Sequence, residues 1–154
     1  TLKVPNKTPI HLEEGGAVVS ELHISDVAAA DTIAYLQKMP SASKLDWSEK
    51  LEMAAKEHCS DISRSGSTSH TGADGSTYKD RIERHCRWGG AIFETLCFSP
   101  NSDAQDVVLT WLIDDGNPNR TQRKSALASH HKHFAAATGS HPISNVCTVA
   151  LFAA

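Results

Sequence analysis

The fold is decided by the stretch Val146-Cys147-Thr148-Val149-Ala150-Leu151-Phe152-Ala153, near the end of the chain. Apolar residues occupy both its odd and its even positions, so a strand formed here would present an apolar surface on each face. Such a strand belongs in the middle of a sheet that is covered on both sides. The sequence therefore predicts an α+β domain, built as a three-layer α-β-α sandwich around a small antiparallel sheet.

The helices that would cover this strand are predicted from apolar periodicity and capping residues. The three longest lie at residues 25–39, 46–66 and 102–116. The second begins at a capping box of Asp46 and Glu49 and ends at Gly66, and the third begins at Ser102 and ends at Gly116. Their predicted buried faces are Val27, Ala30, Ile33, Ala34 and Leu36; Leu51, Ala54, Ala55, His58, Cys59 and Ile62; and Ala104, Val107, Val108, Trp111 and Leu112. Shorter elements are predicted as a helix around 78–82, a strand at 91–98, a helical turn at 120–127 and a strand at 133–139.

The composition indicates one ordinary globular domain. The chain has 154 residues, of which 40% are apolar, and a formal net charge of −3. It has neither the basic excess of a nucleic-acid-binding protein nor the run of about 20 apolar residues that a membrane-spanning helix needs. Residues 1–16 show no periodicity, so we expect an N-terminal arm there and a single domain at 17–154. We expect this domain to be a monomer.

The four cysteines, Cys59, Cys86, Cys97 and Cys147, contain no Cys-x-x-Cys pair, which argues against a structural zinc site. Their even number allows two disulfides in three pairings. Cys86–Cys97 would close a short loop between neighbouring elements, and Cys59–Cys147 would tie a core helix to the central strand. The alternative is a reduced protein with four thiols. Asn6 and Asn119 begin glycosylation motifs, which are compatible with secretion.

Polar residues in three places are candidates for a functional site. Glu94 would share a strand face with apolar neighbours, where a carboxylate is costly unless it is paired or hydrogen-bonded. Such carboxylates are often functional, but Glu94 could instead reach water from an edge strand. His70 lies in a Gly- and Ser-rich loop, where a histidine is usually only solvated. Asp114 lies at the C-terminus of a predicted helix, where a negative charge opposes the helix dipole.

These residues are followed by the segment Trp111-Leu112-Ile113-Asp114-Asp115-Gly116-Asn117-Pro118. In this order they resemble the CAP superfamily of cysteine-rich secretory, antigen-5 and pathogenesis-related proteins, in its microbial or protist form. The resemblance covers about residues 45–153. It implies a cleft tetrad of His70, Glu94, Asp114 and Gln122. The last of these departs from the family pattern, which has a histidine where this chain has Gln122.

The resemblance also implies a divalent cation, because the two histidines of the family tetrad can bind zinc. With Gln122 in place of the second histidine, His70 and Glu94 would remain as ligands. A neutral amide oxygen is a poor zinc ligand, so we expect at most weak binding of zinc, calcium or magnesium. The nearby His130, His131 and His133 could replace the missing ligand, or they could form a solvated surface loop.

By resemblance, we expect a secreted, non-enzymatic binding domain for a small amphiphile, such as a sterol or a fatty acid, or for an extracellular protein partner. The helix at 25–39 could form one wall of an apolar groove. One alternative is an adhesion or interaction module whose cleft is vestigial. A metal-assisted hydrolase is a third, although the sequence lacks the Gly-x-Ser-x-Gly motif of a serine hydrolase.

Overall fold

The structure is a computed structural model that describes the backbone of residues 7–14 and 17–154 and the side chains from Ser25 onward. In chain order the elements are β1 (Lys7–Glu14), β2 (Ala17–Ser25), α1 (Asp26–Lys38), β3 (Asp46–Trp47), α2 (Glu49–Ser65), α3 (Tyr78–Glu83), β4 (Ile92–Ser99), α4 (Ala104–Ile113), α5 (Thr121–Ala126), β5 (His133–His141) and β6 (Asn145–Ala153). Residue Asn6, with its predicted glycosylation motif, lies outside this description. Asn119, in the other motif, is exposed.

The central strand of the main sheet is β6, as predicted. The strand order is β3-β5-β6-β4, so β6 has a neighbour on each side. On one face Cys147, Val149 and Leu151 pack in the core formed with α2 and α3. On the other face Ala150 and Phe152 pack in the core formed with α4. The alternation of β6 side chains between two apolar cores confirms the predicted α+β three-layer sandwich.

The sheet is mixed in one respect that the sequence did not predict. Strands β4 and β5 both pair antiparallel with β6, but the two-residue β3 runs parallel to β5, with Asp46 opposite His133. Asp46 therefore belongs to a strand and does not cap α2. The N-cap is Ser48, whose hydroxyl accepts a hydrogen bond from the Leu51 amide at 3.4 Å.

Helix α2 buries the face predicted from its periodicity, including His58 and Cys59. It ends at Gly66, which adopts a left-handed conformation with φ of 69°. Gly139 of β5 allows the helix to pack closely on the sheet. A Cβ at this position would lie only 2.9 Å from the Ser63 hydroxyl and 3.0 Å from the Cys59 sulfur, so a larger residue would push α2 away.

Helix α1 has the predicted boundaries but not the predicted buried face. Ser25 caps it, and its buried residues are Ala28 and Thr32. Val27 is 71% exposed and Ile33 is 58% exposed, so the apolar stripe points outward. Polar contacts set this orientation, because Ser25 donates to the Asp115 carboxylate and Thr32 accepts from a buried guanidinium of the α5 segment.

Two smaller corrections concern the segments before α1 and before α4. Residues 7–14 of the predicted N-terminal arm form β1, which pairs antiparallel with β2. Helix α4 is capped by Asp103 rather than Ser102, since its carboxylate accepts from the backbone of the first helical turn. Val108, which we predicted to be buried, is 46% exposed.

All four cysteines are free thiols in the structure. The predicted Cys86–Cys97 disulfide is wrong, because Cys86 packs in the core on the α2 side of the sheet and Cys97 in the core on the α4 side. Cys59 and Cys147 do meet, with their sulfur atoms 3.8 Å apart and unbonded. Burial raises the pKa of Cys59 to about 12 and that of Cys97 to about 11.

No helix in the described part of the chain combines the length and the apolar character needed to cross a membrane.

Candidate functional site

Glu94 is a fully buried carboxylate on β4, the edge strand next to β6. It lies opposite Leu151 and therefore faces the α2 side of the sheet. One carboxylate oxygen accepts from Arg81 Nη2 at 2.8 Å, and the other lies 2.9 Å from His70 Nδ1. The buried charge is thus paired with a guanidinium and hydrogen-bonded to an imidazole, as a buried charge requires.

Arg81 joins the loop of His70 to the buried carboxylate. Helix α3 positions it, because Thr77 and Asp80 form a capping box that fixes the start of this short helix. The guanidinium donates to the Ser76 carbonyl at 3.0 Å and to the His70 carbonyl at 3.1 Å, in addition to Glu94. A single side chain therefore holds the loop backbone and the carboxylate together, which orients His70 toward Glu94.

His58 of α2 is the second histidine beside Glu94, with Nε2 4.0 Å from the carboxylate. The same nitrogen lies 2.9 Å from the Ser69 carbonyl, which can only accept, so Nε2 carries the hydrogen. Burial lowers the pKa of His58, and the nearby Glu94 charge opposes this shift. The ring is thus the neutral partner of the site, and Arg81 supplies the positive charge.

Asp114 and Gln122 form a separate pair on the other side of the sheet. Asp114 ends α4 in a left-handed conformation with φ of 48°, and its carboxylate accepts from the Gln122 amide at 2.8 Å and the Arg123 amide at 3.4 Å. It therefore caps the start of α5, which is a favourable place for a negative charge. The Gln122 side chain donates to Asp114 at 3.4 Å and accepts from Thr95 Oγ1 at 2.5 Å.

The four predicted tetrad residues thus form two pairs on opposite faces of one edge strand. Glu94 holds His70 on the α2 side, and the next residue along, Thr95, holds Gln122 on the α4 side. In the first pair Glu94 occupies Nδ1 of His70 while 55% of the histidine side chain stays exposed. Nε2 is therefore the ring nitrogen left for an external ligand.

This donor set does not fit a zinc ion. It offers one imidazole, one amide and two carboxylates that Arg81 and backbone amides already engage, and the described residues contain no group of three or more His, Cys, Asp or Glu side chains arranged to hold a metal. The downstream histidines do not complete it. His131 is buried against Phe152 and burial lowers its pKa, and His133 packs on Trp88. Burial of His131 also contradicts the alternative of a wholly solvated loop.

A comparison with protein families matches residues 31–150 to the cysteine-rich secretory protein family, abbreviated CAP. The chain belongs to this family. A search of curated proteins gives no match.

Two solved structures share the fold of this CAP domain at low sequence identity. An outer surface protein of Borrelia burgdorferi is 20% identical with a TM-score of 0.61, over 82% of this chain and 88% of that one. An extracellular protein with an SCP domain from Bacillus anthracis is 18% identical with a TM-score of 0.56, over 78% of this chain and 36% of that one. At these identities the likeness concerns the fold alone.

Changing Gln122→His in this CAP domain should raise zinc affinity at least tenfold, or about 1.4 kcal/mol. The new imidazole would lie between Thr95 and Asp114, and the carboxylate would orient it as carboxylates orient zinc-bound histidines. Competition with a chromophoric chelator measures the affinity. Gln105→His, on the exposed side of α4, is the matched control. Equal zinc affinities for the two variants would mean that an imidazole at position 122 adds no ligand to a cation site.

Three contributors to this site were not predicted from the sequence. Arg81 was not among the candidate residues, although a buried carboxylate at position 94 requires a nearby cation. His58 was assigned to the core, where a histidine among apolar residues is itself a signal of a buried polar contact. Thr95 gave no signal, because its contact with Gln122 depends on how α5 packs against β4.

Proposed function

We propose that this CAP domain is an extracellular, non-enzymatic binding protein that holds a small amphiphile in an apolar groove between α4, α5 and the sheet. The observation that carries the proposal is a cavity of about 230 Å³ lined almost wholly by apolar side chains: Leu45, Val108, Trp111, Leu112, Ala126, Leu127, Phe134 and Phe152. Apolar pockets with few polar groups are the usual sites for lipophilic ligands. The extracellular relatives of similar fold support the location.

The lining of the groove favours the aliphatic part of an amphiphile. Its side chains are apolar throughout, so hydrocarbon groups that enter it leave water for an apolar surface. Of the two amphiphiles that the sequence suggested, we take a fatty acid as the first ligand to test.

The indole nitrogen of Trp111 supports the proposal that the ligand has a polar end. Trp111 lines the groove and is only 5% exposed, and its Nε1 has no hydrogen-bond partner among the described residues. Leaving a buried donor unsatisfied costs about 1–3 kcal/mol. An amphiphile whose polar end reached this N–H would satisfy a donor that a pure hydrocarbon leaves without a partner.

The test is a titration of the purified, delipidated protein with dodecanoic acid, followed by isothermal calorimetry and native mass spectrometry. Ala126→Phe places a ring in the groove and should weaken binding at least tenfold. Ala30→Phe adds the same ring on the exposed surface of α1 and should leave the affinity unchanged. Binding that is equally strong in both variants would place the ligand elsewhere, and no binding by the wild type would exclude the proposal.

A protein-interaction module is the second candidate, and the exposed apolar face of α1 favours it. Val27, Ile33 and Leu36 are the large apolar side chains of this helix that remain in contact with solvent. Exposed apolar patches often mark interaction sites. A wild-type protein that binds no dodecanoic acid would leave this surface as the better-supported site of function.

A further inference from the structure

Two thiols meet inside the core between α2 and the sheet. Cys59 lies on α2 and Cys147 on the central strand β6. Their sulfur atoms are 3.8 Å apart, and both residues are buried, at 5% and 0% exposure. The two cysteines are 88 positions apart in the chain, so the packing of the helix on the sheet is what makes them neighbours.

Gly139 of β5 makes room for the two sulfur atoms. It lies directly opposite Cys147 in the pairing of β5 with β6, and a Cβ added to it would come within 3.0 Å of the Cys59 sulfur. The Ser63 hydroxyl, one turn further along α2, lies 3.6 Å from the Cys147 sulfur. A side chain at position 139 would therefore crowd the place where the two thiols approach each other.

The gap between the sulfur atoms is short enough for a covalent bond to close it. A disulfide holds its sulfur atoms about 2.05 Å apart, so the two atoms would have to approach by about 1.8 Å. Rotation of both side chains about their Cα–Cβ bonds can supply a movement of this size. The other two cysteines are placed differently, since Cys97 packs on the α4 side of the sheet and Cys86 is partly exposed at the margin of the α2-side core.

Burial determines when such a bond could form. Exchange between a thiol and a disulfide requires a thiolate. Burial raises the pKa of Cys59 to about 12, and the neighbouring Cys147 thiol adds to this shift. The folded thiol is therefore unreactive near neutral pH, whereas the pKa of a cysteine in the unfolded chain is close to its usual value. We expect oxidation during folding, before α2 covers the sulfur atoms.

We propose that Cys59 and Cys147 form a structural disulfide that links α2 to β6 when the chain folds with a low-molecular-weight disulfide such as oxidised glutathione. The thiolate of one cysteine attacks a glutathione sulfur and releases one glutathione thiolate. The thiolate of the other cysteine then attacks the protein sulfur of the mixed disulfide and releases the second. Two protein thiols thus lose two protons and two electrons, and one glutathione disulfide is reduced to two thiols.

The link would stabilise the layer that contains Glu94. It closes a long loop in the unfolded chain, so the equilibrium constant for unfolding should fall at least about thirtyfold. His58 precedes Cys59 on α2 and lies beside Glu94, so the link also fixes this helix against the sheet at the candidate site. Extracellular proteins fold in compartments that supply such an oxidant. The proposal is independent of the amphiphile groove, which lies on the other side of the sheet.

The experiment refolds the full, reduced chain from urea with a mixture of oxidised and reduced glutathione. Remaining thiols are then blocked with N-ethylmaleimide, and tryptic peptides are mapped without reduction. Residues 57–64 should appear covalently linked to residues 133–154, lighter by two hydrogens than the two peptides together. Urea unfolding of the oxidised and the reduced protein gives the change in stability. Complete alkylation of all four thiols, or a link to either of the other cysteines, would overturn the proposal.

Cys59→Ala and Cys86→Ala are matched variants, because each removes one thiol from the α2 side of the sheet. Oxidative refolding should give neither the linked peptide nor a gain in stability in Cys59→Ala, and it should give both in Cys86→Ala. A linked wild-type protein that is no more stable than its reduced form would contradict the structural role. Should Cys59→Ala fail to fold, the peptide map and the two unfolding curves of the wild type still decide the question.

Discussion

Replacing Arg81 by leucine should lower the free energy of unfolding by about 3–5 kcal/mol, because it leaves the buried Glu94 carboxylate without its cation. Burying the pair gains little net energy, but breaking it leaves one desolvated charge. Urea unfolding followed by circular dichroism measures the change as a shift of the midpoint at constant slope. His70 does not replace the guanidinium, since more than half of its side chain is exposed.

Removing both charges provides the decisive control. The double variant Arg81→Leu/Glu94→Leu should recover much of the lost stability, because two buried charges are replaced by apolar volume. Arg84→Leu, which breaks more exposed ion pairs with Glu57 and Asp74, should cost less than about 1 kcal/mol. A double variant as unstable as Arg81→Leu would show that the arginine acts through its carbonyl contacts in the 70–76 loop, not through its charge.

The layers of this CAP domain could be predicted because they depend on local periodicity. Alternation in β6 placed it between two cores, and the apolar spacing in α2 identified its buried face, including His58. Local periodicity did not predict the buried face of α1. Its apolar stripe predicted burial, but the helix is oriented by polar contacts with residues about 90 positions away, and no local pattern carries that information.

The disulfide error has a related cause. Residue parity in β4 places Cys97 on the face opposite Glu94, and this much could be read from the sequence. Which layer contains Cys86 could not be read, because the residue follows α3, whose side of the sheet is set by packing against α2. Spacing along the chain suggested a short loop between neighbours, but the sheet separates the two thiols.

The candidate site also combines features that depend on local sequence with features that depend on long-range packing. His70 and Glu94 could be paired only through the family resemblance, since nothing local links a loop histidine to a strand carboxylate 24 residues later. The mild electrostatic cost expected for Asp114 at the end of α4 is offset in the folded chain. Its carboxylate caps α5, and this role becomes visible only when the turn at 115–120 is known.

Arg123→Met should cost at least about 3 kcal/mol, because Arg123 is a fully buried cation that ties together three segments. Its guanidinium donates to the carbonyls of Leu112 and Ile113 at the end of α4, and to Thr32 and Asp31 on α1. Methionine fills similar space but leaves the carbonyls without this donor. Urea unfolding gives the loss, and hydrogen exchange should show α1 opening before the sheet.

Arg123→Lys separates charge from geometry. A lysine keeps the positive charge beside Asp31 but has no planar fork to reach both carbonyls and Thr32 at once, so it should restore less than half of the lost stability. Arg120→Met is the matched control, since Arg120 also contacts Asp31 but lies nearer the surface. If the lysine variant were as stable as the wild type, the Asp31 ion pair alone would hold α1. The planar guanidinium would then not be what orients α1 with its apolar face outward.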